Sequence, residues 1–97
     1  MVTYTLEGEK LICSFSGSMH TVNCTKIEKE VCEKVEKAGG PVVFDLQNVK
    51  YIASTFLRIC TKIFKKAGPE NFSIINVSSD LMNVFQISGM DRFINVK

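Results

Sequence analysis

The sequence predicts a single α/β domain, residues 1–97, with a mixed sheet in ββαβαβαβ order and crossover helices. Three observations point there. Two alternating segments open the chain, short apolar runs then take turns with stretches of helical periodicity, and glycine or proline closes the helices. Strands alternating with helices imply a largely parallel sheet, and an opening hairpin adds one antiparallel edge.

Taken in order, residues 3–7 alternate, and residues 10–16 do so through Leu11, Cys13 and Phe15, with Glu7-Gly8-Glu9 between them as a tight turn. Gly17-Ser18 then breaks the pattern. The first helix starts at about Asn23 as N-cap, and Cys24, Ile27, Val31 and Val35 form its apolar stripe. Gly39-Gly40-Pro41 stops it. Val42-Val43-Phe44, followed by Asp45-Leu46, reads as a strand buried on both faces. A second helix over about 54–67 ends at Gly68-Pro69, and residues 72–77 give another buried strand. Ser78-Ser79-Asp80 signals a third helix, which Gly89 caps, and residues 93–96 give a final short strand.

Composition excludes several functions. Apolar residues are 45% and charged residues 23%, the balance of a globular protein rather than a disordered one. Net charge is only +2 and the lysines alternate with glutamates from Lys26 to Lys37, so no nucleic-acid footprint forms. No signal peptide and no apolar run of membrane-spanning length is visible, so a cytoplasmic protein is expected, without direct membrane insertion. Cys13, Cys24, Cys32 and Cys60 form no C-x-x-C pair and His20 is the only histidine, so no metal site and no cofactor are expected. In a reducing compartment these thiols serve as small buried hydrophobes.

No phosphate-binding glycine loop or nucleophile elbow occurs, and the two hydroxyls with His20 lack an oxyanion hole and an oriented base, so no enzyme is expected. The informative segment is residues 50–58. Ser54 and Thr55 fall where a strand meets a helix N-terminus, which exposes unpaired N–H groups and the positive end of the helix dipole. Either one hydroxyl caps the helix, or a phosphoryl group placed there is held by those N–H groups. The second helix is also apolar on two overlapping stripes. Leu57, Cys60 and Phe64 are expected to face the sheet, leaving Phe56 at the surface for a partner.

The run Val42-Val43-Phe44-Asp45-Leu46, then Val49, Tyr51-Ile52, Ser54-Thr55 and Leu57, resembles the STAS domain of anti-sigma-factor antagonists (anti-anti-sigma factors). That family carries an apolar strand ending in Asp, then an Asp-Ser-Ser/Thr-Gly-Leu signature that opens a helix. Asn76-Val77-Ser78, Val84-Phe85 and Ser88-Gly89-Met90-Asp91-Arg92-Phe93 resemble its last helix and Ser-Gly-Leu-Asp ending. Ala53 stands in place of the signature aspartate, Phe56 in place of its glycine, and His20 in place of an aspartate frequent after the second strand. The family's C-terminal helix is expected to be absent.

The resemblance implies a bacterial, non-enzymatic regulator of transcription that binds a switch-kinase anti-sigma factor, a serine kinase, while unphosphorylated. It implies phosphorylation at Ser54, less so at Thr55. A helix start carrying an aromatic and an arginine, types enriched at binding hot spots, puts the expected partner contacts at Ser54, Thr55, Phe56 and Arg58, together with His20. The alternative it implies is a constitutive adaptor subunit for a transporter ATPase or a signalling scaffold.

Overall fold

The computed structural model describes residues 2–97. These form β1 (Val2–Glu7), β2 (Lys10–Met19), α1 (Thr21–Ala38), β3 (Val42–Ile52), α2 (Ser54–Ala67), β4 (Phe72–Ile75), α3 (Ser79–Ser88), a 3₁₀ turn (Met90–Arg92) and β5 (Asn95–Val96). Among the described residues the strands make one five-stranded sheet in the order β1-β2-β3-β4-β5. The β1–β2 pair is antiparallel and the remaining pairs are parallel, so the expected ββαβαβαβ order and mixed sheet are found.

Each crossover steps one strand further in the same direction. Right-handed connections therefore place all three helices on one face of the sheet. The core agrees: Leu11, Phe15, Phe44 and Ile74 from the strands share one buried cluster with Val31 of α1, Ile63 of α2 and Phe85 of α3. The second face carries Thr3, Ile12, Ser14, Ser73 and Ile75, which keep contact with solvent. β3 is thus covered by helices on one side only, contrary to the expectation of two buried faces. Val43 is still buried, because Ile12 and Ser73 flank it in register.

Local chemistry explains the boundaries that moved. Gly8 takes φ 63° at the first central position of the hairpin turn, where a side chain would be strained. Strand β2 runs through Gly17 rather than stopping there. Gly17 adopts φ 84° at a register shift, so the strand bends and continues to Met19. Helix α1 starts before Asn23, with His20 in the cap position. Strand β4 ends early because Asn76 turns left-handed at φ 58°, where its side-chain amide donates to Asp45 Oδ1 at 3.0 Å. The same Asp45 oxygen accepts from Gln47 N at 3.0 Å.

Helix α2 presents a different stripe from the one expected. Phe56, Ile59, Cys60 and Ile63 are buried, whereas Leu57 and Phe64 are only half-buried. Phe56 was expected at the partner surface; it is core, with no exposed area. Its ring stands edge-on to Phe15 at 5.2 Å, and Phe15 meets Phe44 at 4.8 Å. Phe44 in turn meets Phe72 at 4.9 Å. Each such pair adds about 0.5–1.5 kcal/mol beyond its buried area, which decides between two stripes of similar apolarity. Phe64 instead meets half-exposed Phe93 edge-on at 5.3 Å.

Phe56→Ala is therefore expected to cost about 3–5 kcal/mol in urea unfolding, the range for a large core cavity. Phe64→Ala is expected to cost less than half of that. Equal losses would show that α2 is rotated from the orientation described.

Candidate functional site at two helix starts

Strands β2 and β3 are parallel neighbours, so the helices that follow them begin side by side. The link is direct: Ala53 N donates to Met19 O at 2.9 Å, one residue before each helix cap or start. Thr55 Oγ1 reaches Thr21 Oγ1 at 3.5 Å across the gap. Asn23 Nδ2 donates to Ser18 O at 2.8 Å and lies 3.1 Å from His20 Nε2, which fixes the turn between β2 and α1. His20, Ser54, Thr55 and Arg58 are thereby brought together at one end of the sheet, and all but half-buried Thr55 are exposed. Phe56, the fifth expected contact, is excluded from this surface by its burial.

Both helix starts are bare. Neither His20 nor Ala53 makes a side-chain cap bond, and neither first turn contains an acidic residue. Helix α3 is the contrast: Ser78 accepts from Leu81 N at 3.3 Å, and Asp80 sits in its first turn. Two adjacent N-termini without caps leave N–H groups and positive dipole ends facing solvent together. Ser54 is not the cap, because Ala53 already occupies that position; Ser54 is the first helical residue. Its hydroxyl is left free of the capping role that the sequence alone allowed.

Arg58 is held from the other side. Its Nη2 donates to Glu28 Oε1 of α1 at 2.9 Å, and Lys62 Nζ pairs with the second oxygen of the same carboxylate. Lys62 first, then Arg58, holds the Glu28 carboxyl below its ordinary pKa. Lys66 pairs with Glu36 at 2.6 Å further along the same two helices.

The thiols near the site are not poised for chemistry. Burial raises the pKa of Cys24 against an opposing hydrogen bond from Thr55, and burial raises Cys60 well above its ordinary value. Cys13 is pushed up to about 12 by burial. Cys32 is the exception to the expected burial, being only partly covered. Among the described residues no group of three or more His, Cys, Asp or Glu side chains converges as a metal would require. No helix of the described residues is long and apolar enough to cross a membrane.

Sequence reasoning missed Thr21, Val22 and Tyr51. Val22 is 59% exposed in the first turn of α1, and Tyr51 is 54% exposed beside Ser18 at the end of β3. Val22 and Tyr51 were visible as apolar residues near a helix start, but only the adjacency of the two starts brings Thr21 to Thr55.

The profile of the STAS domain family matches residues 1–97. The chain belongs to the STAS domain family. No curated protein matches it. Among solved structures it is similar to an anti-sigma factor antagonist from Mycobacterium paratuberculosis, with 20% identity and a TM-score of 0.89 over 99% of this chain and 83% of that one. It is also similar to the unphosphorylated form of the anti-sigma factor antagonist SpoIIAA, at 14% identity and TM-score 0.80, covering 100% of this chain and 88% of that one. The phosphorylated form of the Bacillus cell fate determinant SpoIIAA aligns at 13% identity and TM-score 0.73, covering 100% and 91%. At these identities the structures establish that this STAS domain shares their fold.

The Glu28 ion pairs carry a pH signature. A carboxyl whose folded pKa is lowered contributes stability above its unfolded value, and that contribution is lost as pH falls through the folded value. Both cations are half-exposed, at 56% for Arg58 and 50% for Lys62, so screening keeps the effect small. Glu28→Gln is expected to lower stability at neutral pH by roughly 0.5–1 kcal/mol. Urea midpoints of parent and variant should converge once the pH drops below the carboxyl's titration. A difference that persists in acid would show that the charge is not its source.

Proposed function

We propose that this STAS domain is a protein-binding regulatory module of the anti-sigma-factor antagonist type. It docks a switch-kinase anti-sigma factor through the surface formed by the α1 and α2 starts, and phosphorylation of Ser54 controls that docking. One observation carries this reading: Ser54 is an exposed hydroxyl on the first residue of a helix with no cap and no acidic first turn, beside a second start of the same kind.

A phosphoryl dianion on Ser54 meets free N–H groups and a favourable dipole, worth about 0.3–1 kcal/mol, so the domain stays folded. Arg58 lies one turn along the helix and reaches the phosphate by leaving Glu28, which Lys62 continues to neutralise. The modification therefore acts on the partner, through charge and through desolvation of the dianion at the interface. Val22 and Tyr51 supply the apolar area that a protein partner covers, and His20, Thr55 and Arg58 supply its polar rim.

Protein from the native cell is expected to carry phosphate on Ser54 in a fraction of molecules, read by mass spectrometry, and to capture a kinase-like partner when unmodified. Ser54→Asp should lose that partner. Tyr51→Ala and Val22→Asp should each weaken binding by about 1–3 kcal/mol with unchanged melting behaviour. Capture of a transporter ATPase, with Ser54→Asp binding as tightly as the parent, would replace this reading with a constitutive adaptor.

A further inference from the structure

The sheet has two free edges, and they are not alike. The β5 edge is two residues long, short enough to offer no template. The β1 edge is six residues long and reads Val-Thr-Tyr-Thr-Leu-Glu, β-branched or aromatic in most positions and uncharged until its last residue. It contains none of the lysines, prolines or bulges that usually protect an edge.

The hairpin determines which groups it offers. Glu7 faces Lys10 across the two-residue turn, so Glu7, Thr5 and Thr3 exchange both backbone bonds with β2. The N–H and C=O groups of Val2, Tyr4 and Leu6 consequently point away from the sheet. Their side chains sit on the helix face, opposite Phe15, Cys13 and Leu11, and Leu6 is 64% exposed.

The geometry points to a second copy of this chain as the occupant of this edge, paired antiparallel about a twofold axis at Tyr4. In that register Tyr4 faces Tyr4 of the second copy as a pair exchanging both backbone bonds, and Val2 faces Leu6 of the second copy in the same way. All the outward groups of the three residues are then paired. Leu6 gains an apolar neighbour on the helix face, and Thr3 meets Thr5 of the second copy on the open face, a favourable cross-strand pair.

Charge supports the same operator. Lys34 Nζ lies 5.4 Å from the centre of the Tyr4 ring, so the axis through Tyr4 passes level with Lys34. Lys34 and Lys37 line the groove between α1 and β1, and Glu30, one turn before Lys34, shares a neighbouring recess of α1 with both of them. Because α1 runs parallel to β1, the twofold sets Glu30 against Lys37 of the second copy, twice, and these two opposite-charge pairs flank a single Lys34–Lys34 approach at the axis, where each ammonium lies over its own Tyr4 ring. With α1 packed over β2, the two helices stand about 14 Å apart, three strand spacings of about 4.8 Å. Extended glutamate and lysine side chains on helices of about 2.3 Å radius span that gap. This surface is the β1 edge and not the helix starts, so it is tested separately from the proposed function.

The test is sedimentation equilibrium of the full chain from low micromolar to millimolar concentration, with amide exchange by NMR on the same samples. The expected mass rises from 10.9 kDa to twice that value, and the N–H groups of Val2, Tyr4 and Leu6 become protected as it rises. Leu6→Pro removes an outward donor and no β2 bond, and should weaken association ~10-fold or more. K37E should weaken it by a similar factor, and E30K/K37E should restore it, so the charge pair decides the matter even if the proline variant misfolds. A chain that stays monomeric at millimolar concentration overturns the proposal. So does a dimer that K37E and E30K/K37E leave unchanged, or β1 protection that arises only with a foreign protein from the native cell.

Discussion

The packing of the Phe56 ring on the Phe15–Phe44 pair is the contact on which the arrangement of the site depends. A sheet covered on one face has one layer of core. The helix that crosses its middle must therefore present a filled stripe there. Phe56 is in the first turn of α2, so burying its ring sets both the depth and the rotation of the helix start. Ser54 then turns outward, Thr55 turns toward Thr21, and Arg58 turns toward α1. The residue that stands where the family signature has glycine thus acts as an anchor beneath the site rather than a contact upon it.

Electrostatics along α1 and α2 follow the same division. The middle and far turns are cross-linked by Glu28 with Arg58 and Lys62, and by Glu36 with Lys66. Such half-exposed pairs contribute little stability each, but they fix the relative slide of two helices whose starts must stay level. Among the described residues no acidic side chain lies in the first turn of either helix. The positive ends are left uncompensated at the one place where a phosphoryl group attached to Ser54 would sit, and a neutral Ala53 occupies the N-cap position of α2 where a negatively charged residue would have opposed it.

Much of this was legible in the chain. The hairpin, the three helices, the parallel strands and the position of Ser54 and Thr55 at a helix start all follow from local rules: alternation, three-and-four spacing, and glycine or proline at the ends. Such rules are set by residues close in sequence, so they survive without knowledge of the fold. The signature-like run around Ser54 belonged to the same legible part, because its meaning lies in a strand followed at once by a helix.

What the tertiary structure alone decided is which of two equivalent local answers is used. The apolar stripes of α2 overlap at Cys60, and nothing within the helix ranks Phe56 above Leu57; the aromatic pocket formed by β2 and β3 does. The helix start at Thr21, the N-cap position of Ala53, and the approach of Thr55 to Thr21 likewise depend on β2 and β3 lying side by side. Local sequence determined the elements, because backbone preference and side-chain period act over a few residues. Packing between elements decided which faces are core and which are site, because that choice rests on contacts between residues thirty or more positions apart, such as Glu28 with Arg58.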